Sequence, residues 1–295
     1  MPKYKVLDIN DFEALNNEKY KKEYENGVFK LELDSWDKFH NIVKIFNNNT
    51  DYIWRGQRCY PEEIKGSSGD KDWTLKATFD RRFPKKNREI KLNEILNTFK
   101  KRIEDLPNTY DLDFSKDFEI WAIGQHHGLS TPLLDWTKIP YFAAYFAFYK
   151  KGKEQTEHRV VYALNRTVKR LMVKEKDIKT KELLSTQRKI DGFDYDIGHF
   201  SPEHHKRFKA QKGAFTKAYK GCDVKSIVKE FWEKDDRENK NYTNKIILTE
   251  ILISDKFHDE ILNSLKSMNI THGVLFPDYA GAVDICKIDL KRNEK

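Results

Sequence analysis

Four short segments concentrate the residues able to do chemistry. The first is Trp54-Arg55-Gly56-Gln57. Arginine offers a phosphate or carboxylate two parallel hydrogen bonds, and a neighbouring glycine removes the Cβ that keeps a ligand away from the backbone. The second is Gly124-Gln-His-His-Gly-Leu-Ser-Thr-Pro-Leu-Leu-Asp-Trp-Thr137. It holds an amide (Gln125), two imidazoles (His126, His127), two hydroxyls (Ser130, Thr131) and a carboxylate (Asp135), set between apolar stretches. Asp135 or Thr137 can instead cap the helix that follows. The third is Arg207-Phe-Lys-Ala-Gln211-Lys-Gly213-Ala-Phe215, and the fourth is Leu275-Phe-Pro-Asp278-Tyr-Ala-Gly281, whose Pro-Asp pair also reads as a plain turn. Adjacent histidines point apart on a regular element, and no Cys or paired carboxylate completes a zinc set, so the expectation is no metal. Phosphate-loop, dinucleotide-fold and metalloprotease signatures are absent.

The elements that must position these groups follow from periodicity. Tyr52-Ile-Trp54 reads as a short buried strand that delivers Arg55 at its end. Trp36, Phe39, Val43 and Phe46 recur at helical spacing behind a Ser35 or Asp34 cap, and Leu92, Ile95, Leu96, Phe99 and Ile103 mark an amphipathic helix. A helix around Phe118, Trp121 and Ala122 ends near Gly124 to Gly128. Pro140 to Phe148, with proline in the first turn and alternating Ala and aromatic residues, is a helix buried on most faces. Arg159 to Leu164 and Ile246 to Ile253 read as strands, and Phe257, Ile261, Leu262 and Leu265 as a helix. Phe208 to Tyr219 suggests a strand pair, Gly273 to Phe276 another strand and Val283 to Ile288 a last one. Lys65 to Asp70 is a loop, and the polar stretch to about Asn26 is helical in part. The order implies an α+β fold, a mixed β-sheet core with flanking helices.

Composition narrows the class. The 295 residues include 6 Trp, 14 Tyr and 19 Phe, core material that a disordered chain lacks. Cys59, Cys222 and Cys286 form no metal-spacing pattern and leave one over in any disulfide scheme, which suits a reducing compartment. The longest nearly unbroken apolar run, Ile139 to Tyr149, is about half of the roughly 20 residues a membrane helix needs. The first residues carry no secretory signal pattern. The expectation is a cytoplasmic protein with no membrane contact. The net charge of +8 is local: residues 150–225 hold 20 Lys and Arg against 10 Asp and Glu. That region is a candidate polyanion surface, or a solvated lysine-rich insert.

Taken in this order, the four segments resemble the FRG domain family, named for its aromatic-Arg-Gly motif, here Trp54-Arg55-Gly56. The resemblance continues through Ala77-Thr78-Phe79, Gln125-His126-x-Gly128, Leu133-Leu134-Asp135-Trp136-Thr137, Gln211-x-Gly213-x-Phe215 and Leu275-Phe-Pro-Asp278. It implies an FRG-like domain over residues 30–290, carrying a basic insert at about 150–206 behind a helical extension at 1–29. Such domains are associated with bacterial and phage toxin or antiviral-defence settings.

A more distant similarity is to ADP-ribosyltransferases and their split sheet. It implies an NAD-dependent enzyme acting on nucleic acid or protein through the basic region. In that reading Arg55, Gly56, Gln57 and Gln125 hold the dinucleotide, Ser130 and Thr131 a ribose on a strand, and Trp136 or Tyr141 the nicotinamide. The third strand reads Gln211-Lys-Gly213, with no Glu where those enzymes carry their catalytic acid. The substitutes are His126, Asp135, Gln211 and Glu203. The alternative is a noncatalytic nucleic-acid or nucleotide-binding module, with Tyr195, Phe193, Phe208 or Phe215 as stacking surfaces. A third reading makes Arg55, Gln125, His126 and Asp135 a buried network that serves the fold.

Overall fold

A computed structural model describes residue 7 and residues 9–15, 21–47, 51–64, 72–83, 86–106, 112–150, 156–166, 190–193, 202–238 and 245–293. Among the described residues eight strands form one mixed sheet in the order β1-β2-β8-β5-β3-β4-β7-β6. They are β1 (Lys21–Glu25), β2 (Val28–Leu33), β3 (Tyr52–Gln57), β4 (Leu134–Thr137), β5 (His158–Asn165), β6 (Ile190–Phe193), β7 (Gly213–Ala218) and β8 (Leu248–Ser254). The β2–β8 pair is parallel and the others are antiparallel. The α+β class expected from the sequence is the one observed. The sheet is continuous, but β3 and β4 share a single ladder pair, Trp54↔Thr137. Around that seam the two strands diverge and leave room for a cleft.

The central strand β5 is buried along all eight residues, because helices cover both faces. One face carries α1 (Trp36–Asn47), α5 (Pro140–Phe148) and α8 (His258–Ser267), whose Phe39, Ala143, Ala147, Phe148 and Ile261 are 0% exposed. The other face is covered by α7 (Val224–Glu238) through Val224, Ile227, Val228 and Trp232. A third cluster joins α2 (Thr78–Arg82), α3 (Arg88–Glu104) and α4 (Asp117–His126) to Leu133 and Phe215. Short helices α6 (Pro202–Ala210) and α9 (His272–Leu275), then α10 (Tyr279–Asn293), complete the order. Cys59, Cys222 and Cys286 are free thiols. Among the described residues no helix is long and apolar enough to cross a membrane.

Several expectations change. Of the first 29 residues, expected as a helical extension, residues 1–6, 8 and 16–20 lie outside the described ones. The described ones among them give a 3-10 turn (Ile9–Leu15) and then β1, which pairs with β2 at the sheet edge. Phe208 ends α6 rather than starting a strand; Lys212, at φ 47°, reverses the chain before β7 begins at Gly213. Gly273 to Phe276 and Val283 to Ile288 are helical, in α9 and α10. Asp278, expected in a turn, starts α10: its Oδ1 accepts from the Gly281 N–H at 2.8 Å and its carbonyl from Ala282 at 3.0 Å. An isolated apolar run of four to six residues fits a strand or a buried helix turn equally well, and this cap decides for helix. The loop at 65–70 and the basic stretches 167–189 and 194–201, with Tyr195, lie outside the described residues.

Candidate functional site

The seam between β3 and β4 opens into a cleft of about 320 Å3, lined by residues of β3, α4, β4, α5, the α6–β7 turn and Phe276. This volume sits at the lower end of ligand pockets and suits one nucleoside-sized group. Arg55, Gly56, Gln125, His126, Asp135, Trp136 and Gln211 all border it. Seven of the twelve site residues named from sequence therefore meet in one space, although they come from segments up to 156 positions apart.

Arg55 is held at both ends of its guanidinium. Nε donates to Gln57 Oε1 at 3.0 Å and Nη1 donates to the Asp135 carbonyl at 2.8 Å. Gln57, buried behind it, donates from Nε2 to the Trp73 carbonyl at 2.6 Å. Gln57 thus orients the arginine and stays out of the cleft. The protein packed around Arg55 lowers its pKa to about 10, against the attraction of Asp135, so it is a cation at neutral pH.

Asp135 is enclosed by protein while its surface opens into the cleft. This enclosure raises its pKa above the ordinary carboxylate value. Arg55 and a hydrogen bond from the Gln125 side chain pull the other way. Gln125 is itself fixed, because the Thr131 hydroxyl donates to its Oε1. That bond leaves the Gln125 amide nitrogen, a donor, for the carboxylate. Thr131 also accepts from the Leu133 N–H at 3.3 Å and is fully buried. It stands behind Gln125 and does not border the cleft.

The other named residues are placed as follows. Ser130 accepts from Arg82 Nη1 at 3.2 Å, away from the cleft. Ser130 and Thr131 lie in the loop before β4 and not on the strand, which holds Leu134–Thr137 instead. Tyr141 packs on Phe39 and meets His40 Nδ1 at 2.9 Å, on the α1 side. Trp136 donates from Nε1 to Thr216 Oγ1 at 2.8 Å and gives the cleft a buried wall. Gly56 serves packing: a Cβ there would lie 1.8 Å from the Ala143 carbonyl oxygen, so only glycine lets α5 rest on β3. Thr137 accepts from the Ile139 N–H at 3.2 Å near the start of α5, as a local cap, and donates to the Gln211 carbonyl at 2.7 Å. Gln211 donates from Nε2 to the Leu275 carbonyl at 3.1 Å. His126 borders the cleft edge-on to His127, ring centroids 4.9 Å apart. The side chain of Glu203 lies outside the described residues.

Arg207 and Phe276 lie in the third and fourth segments without having been given a site role, and Phe146 only in the Pro140 helix; all three border the cleft. Arg207 lies over the Phe276 ring at 4.7 Å and pairs with Asp278 at 3.2 Å. It brings a second guanidinium to the cleft. The signal was its position four residues before Gln211, one helical turn away. Among the described residues no group of three or more His, Cys, Asp and Glu is arranged to hold a metal ion.

The site thus offers one fixed cation, one carboxylate open to the cleft, an imidazole, two amides and aromatic walls. Comparison with curated proteins and with solved structures gives no match. A comparison with family models matches residues 50–156 to the FRG domain. That stretch runs from β3 to just beyond α5 and supplies Arg55, Gln125, His126 and Asp135, while Gln211 and Phe276 lie outside it. The stretch that carries Trp54-Arg55-Gly56 is thus the one that is similar to the FRG domain.

Proposed function

We propose that the cleft binds NAD and that the protein is an ADP-ribosyltransferase-like enzyme. The observation that carries this reading is that Arg55 and Asp135, a cation and a carboxylate with separate supports, face one aromatic-walled cleft. Arg55 takes the diphosphate, where bidentate bonding and positive charge are both used. The nicotinamide ribose lies toward Asp135, with Trp136 as a wall. The bond between the ribose C1′ and the nicotinamide nitrogen breaks, and its electron pair leaves with neutral nicotinamide. The ribose then carries oxocarbenium-like positive charge, and the Asp135 carboxylate opposes it at short range once the bound ligand has displaced water from the cleft. Gln125, locked by Thr131, keeps that carboxylate in place. An acceptor nucleophile attacks C1′ and gives up its proton to His126, which borders the same cleft. The resemblance to a toxin or defence family fits an enzyme that consumes NAD or marks an essential molecule.

The test is direct. The full chain is incubated with NAD labelled in the adenylate half, and nicotinamide release and labelled acceptor are followed together. Release of nicotinamide that is lost in Asp135→Asn supports the reading. Tight NAD binding without release would leave the alternative, a nucleotide-binding module without catalysis. Neither binding nor release overturns both.

A further inference from the structure

Arg55 and Arg207 both border the cleft, and they are held in different ways. Arg55 spends Nε on Gln57 and Nη1 on the Asp135 carbonyl. Arg207, in the last turn of α6, is held by its face and by Nε. Its guanidinium lies over the Phe276 ring at 4.7 Å, and His272 stacks on that ring at 4.3 Å, 17° from parallel. Its Nε meets Asp278 Oδ2 at 3.2 Å, and the Gly281 N–H pins Asp278 Oδ1 at 2.8 Å. Nε and Oδ2 are both closed to water. Among the described residues no acceptor meets Arg207 Nη1 or Nη2, and neither atom is closed to water. Other well-held arginines use up these atoms. Arg88 places them on Glu89 and Asp80, Arg159 places Nη1 on the Ala147 and Lys150 carbonyls, and Arg81 places them on the Asp72 carbonyl and the Thr78 hydroxyl. Arg207 is thus immobilised at the cleft with its two-pronged end unused by the fold.

We infer that Arg207 is a second phosphate-binding residue, so that the cleft takes a diphosphate with one phosphate on Arg55 and the other on Arg207. The Nη1–Nη2 end of an arginine matches two oxygens of one phosphate. A guanidinium already fixed by a ring and a carboxylate loses little freedom when it grips them. Asp278 offsets part of its charge, but from the Nε side, and leaves the gripping end unobstructed. A phosphate monoester or a single carboxylate would engage one arginine and leave the other's donors to water. A diphosphate brings an anionic group for each. The apolar walls Trp136, Phe146 and Phe215 suit a nucleoside attached to it. The inference deepens the reading proposed above, in which NAD supplies the diphosphate, and it rests on that reading for the phosphate on Arg55.

The test titrates the full chain with adenosine monophosphate and adenosine diphosphate by calorimetry. In the parent protein the diphosphate should bind about 10- to 100-fold more tightly, the fold-change carried by one hydrogen-bonded charged group. Arg207→Gln should bring the diphosphate to the level of the monophosphate and leave the monophosphate where it was. Arg207→Lys keeps the charge and an aliphatic stem over Phe276 but cannot grip two oxygens. It should restore part of the difference. If Arg207→Gln does not fold, Arg207→Lys supplies the same comparison, with the diphosphate weakened and the monophosphate not. Equal affinity for the two nucleotides in the parent, binding of neither, or an unchanged ratio in the variant overturns the inference. So does an equal loss of both, which makes Arg207 a support of the wall alone. So does displacement of the diphosphate by glutarate at equal concentration, which assigns the two arginines to a dicarboxylate. Nicotinamide release is measured on the same preparations. If the nucleotides bind as described and no nicotinamide is released, the transferase reading fails and the second phosphate site stands. If release and its KM for NAD are the same in Arg207→Gln as in the parent, the site fails and the transferase reading stands.

Discussion

Arg55 crosses the seam from β3 and donates from Nη1 to the Asp135 backbone carbonyl at 2.8 Å, not to its carboxylate. The two charged groups are therefore neighbours with separate supports, the cation on Gln57 and the anion on Gln125. A closed ion pair would have neutralised both. Here each keeps its charge available to a ligand.

Arg55→Ala removes the cation and leaves the Asp135 carbonyl without this donor. That carbonyl is reachable by water, so the loss should be about 1 kcal/mol, the net worth of an ordinary hydrogen bond, which chemical denaturation would register as a small shift. Turnover should fall by about 100-fold or more, the usual effect of losing one fixed donor at a site of developing charge. A large collapse in stability with turnover unaffected would assign Arg55 to the fold alone.

Asp135→Asn should raise the melting temperature at pH 7 while abolishing turnover. The sign follows from its raised pKa in the folded protein. A carboxyl with a raised folded pKa favours the fold below its unfolded pKa, and that contribution is lost as pH climbs through the folded value. At neutral pH the ionised group disfavours folding, and asparagine relieves this. The gap between variant and parent should shrink as pH falls toward 4. Thermal scans from pH 4 to pH 8 measure it.

Gly56→Ala should be among the most damaging single substitutions. The added methyl would lie 1.8 Å from the Ala143 carbonyl and 2.7 Å from the Ala147 nitrogen, both backbone atoms that cannot rotate away. Forcing α5 off β3 costs about 3 kcal/mol or more, and soluble yield and urea unfolding would show it.

On the opposite face, Lys225 donates to Glu250 at 2.8 Å and to Glu62 at 2.6 Å, and Glu250 is 1% exposed. Lys225→Met strands a buried carboxylate and should cost about 3–5 kcal/mol at pH 7. Burial already raises the Glu250 pKa despite Lys225. Without the lysine it rises further, so the deficit should narrow as acidification protonates the glutamate. Urea unfolding at pH 7 and at pH 5 separates this from simple loss of packing, which has no such dependence.

Much of this was legible in residue order. Tyr52-Ile-Trp54 announced β3 and its arginine, the 3.6-residue periodicities gave α1, α3 and α8, and Pro140 with its Ala-aromatic run gave α5. Arg55, Gln125, His126, Asp135 and Gln211, which meet at the cleft, could be picked out as candidates, because polar groups placed between apolar elements need a reason to be there. Short apolar runs were not legible. Val283 to Ile288 looks like a strand until the Asp278 cap is seen to start a helix, and that cap depends on where the chain turns in space. Thr131 and Gln57 carry the right atoms for a ligand, yet both are consumed behind the site, and one-dimensional order has no term for depth. Gly56 announced a close approach, but only packing showed that the approaching body is α5. Arg207 became a wall of the cleft because the sheet brings α6 and Phe276 across from β3, a long-range relation that local periodicity cannot encode. Residue types determined which chemistry is available; the divergence of β3 from β4 decided which of those residues meet.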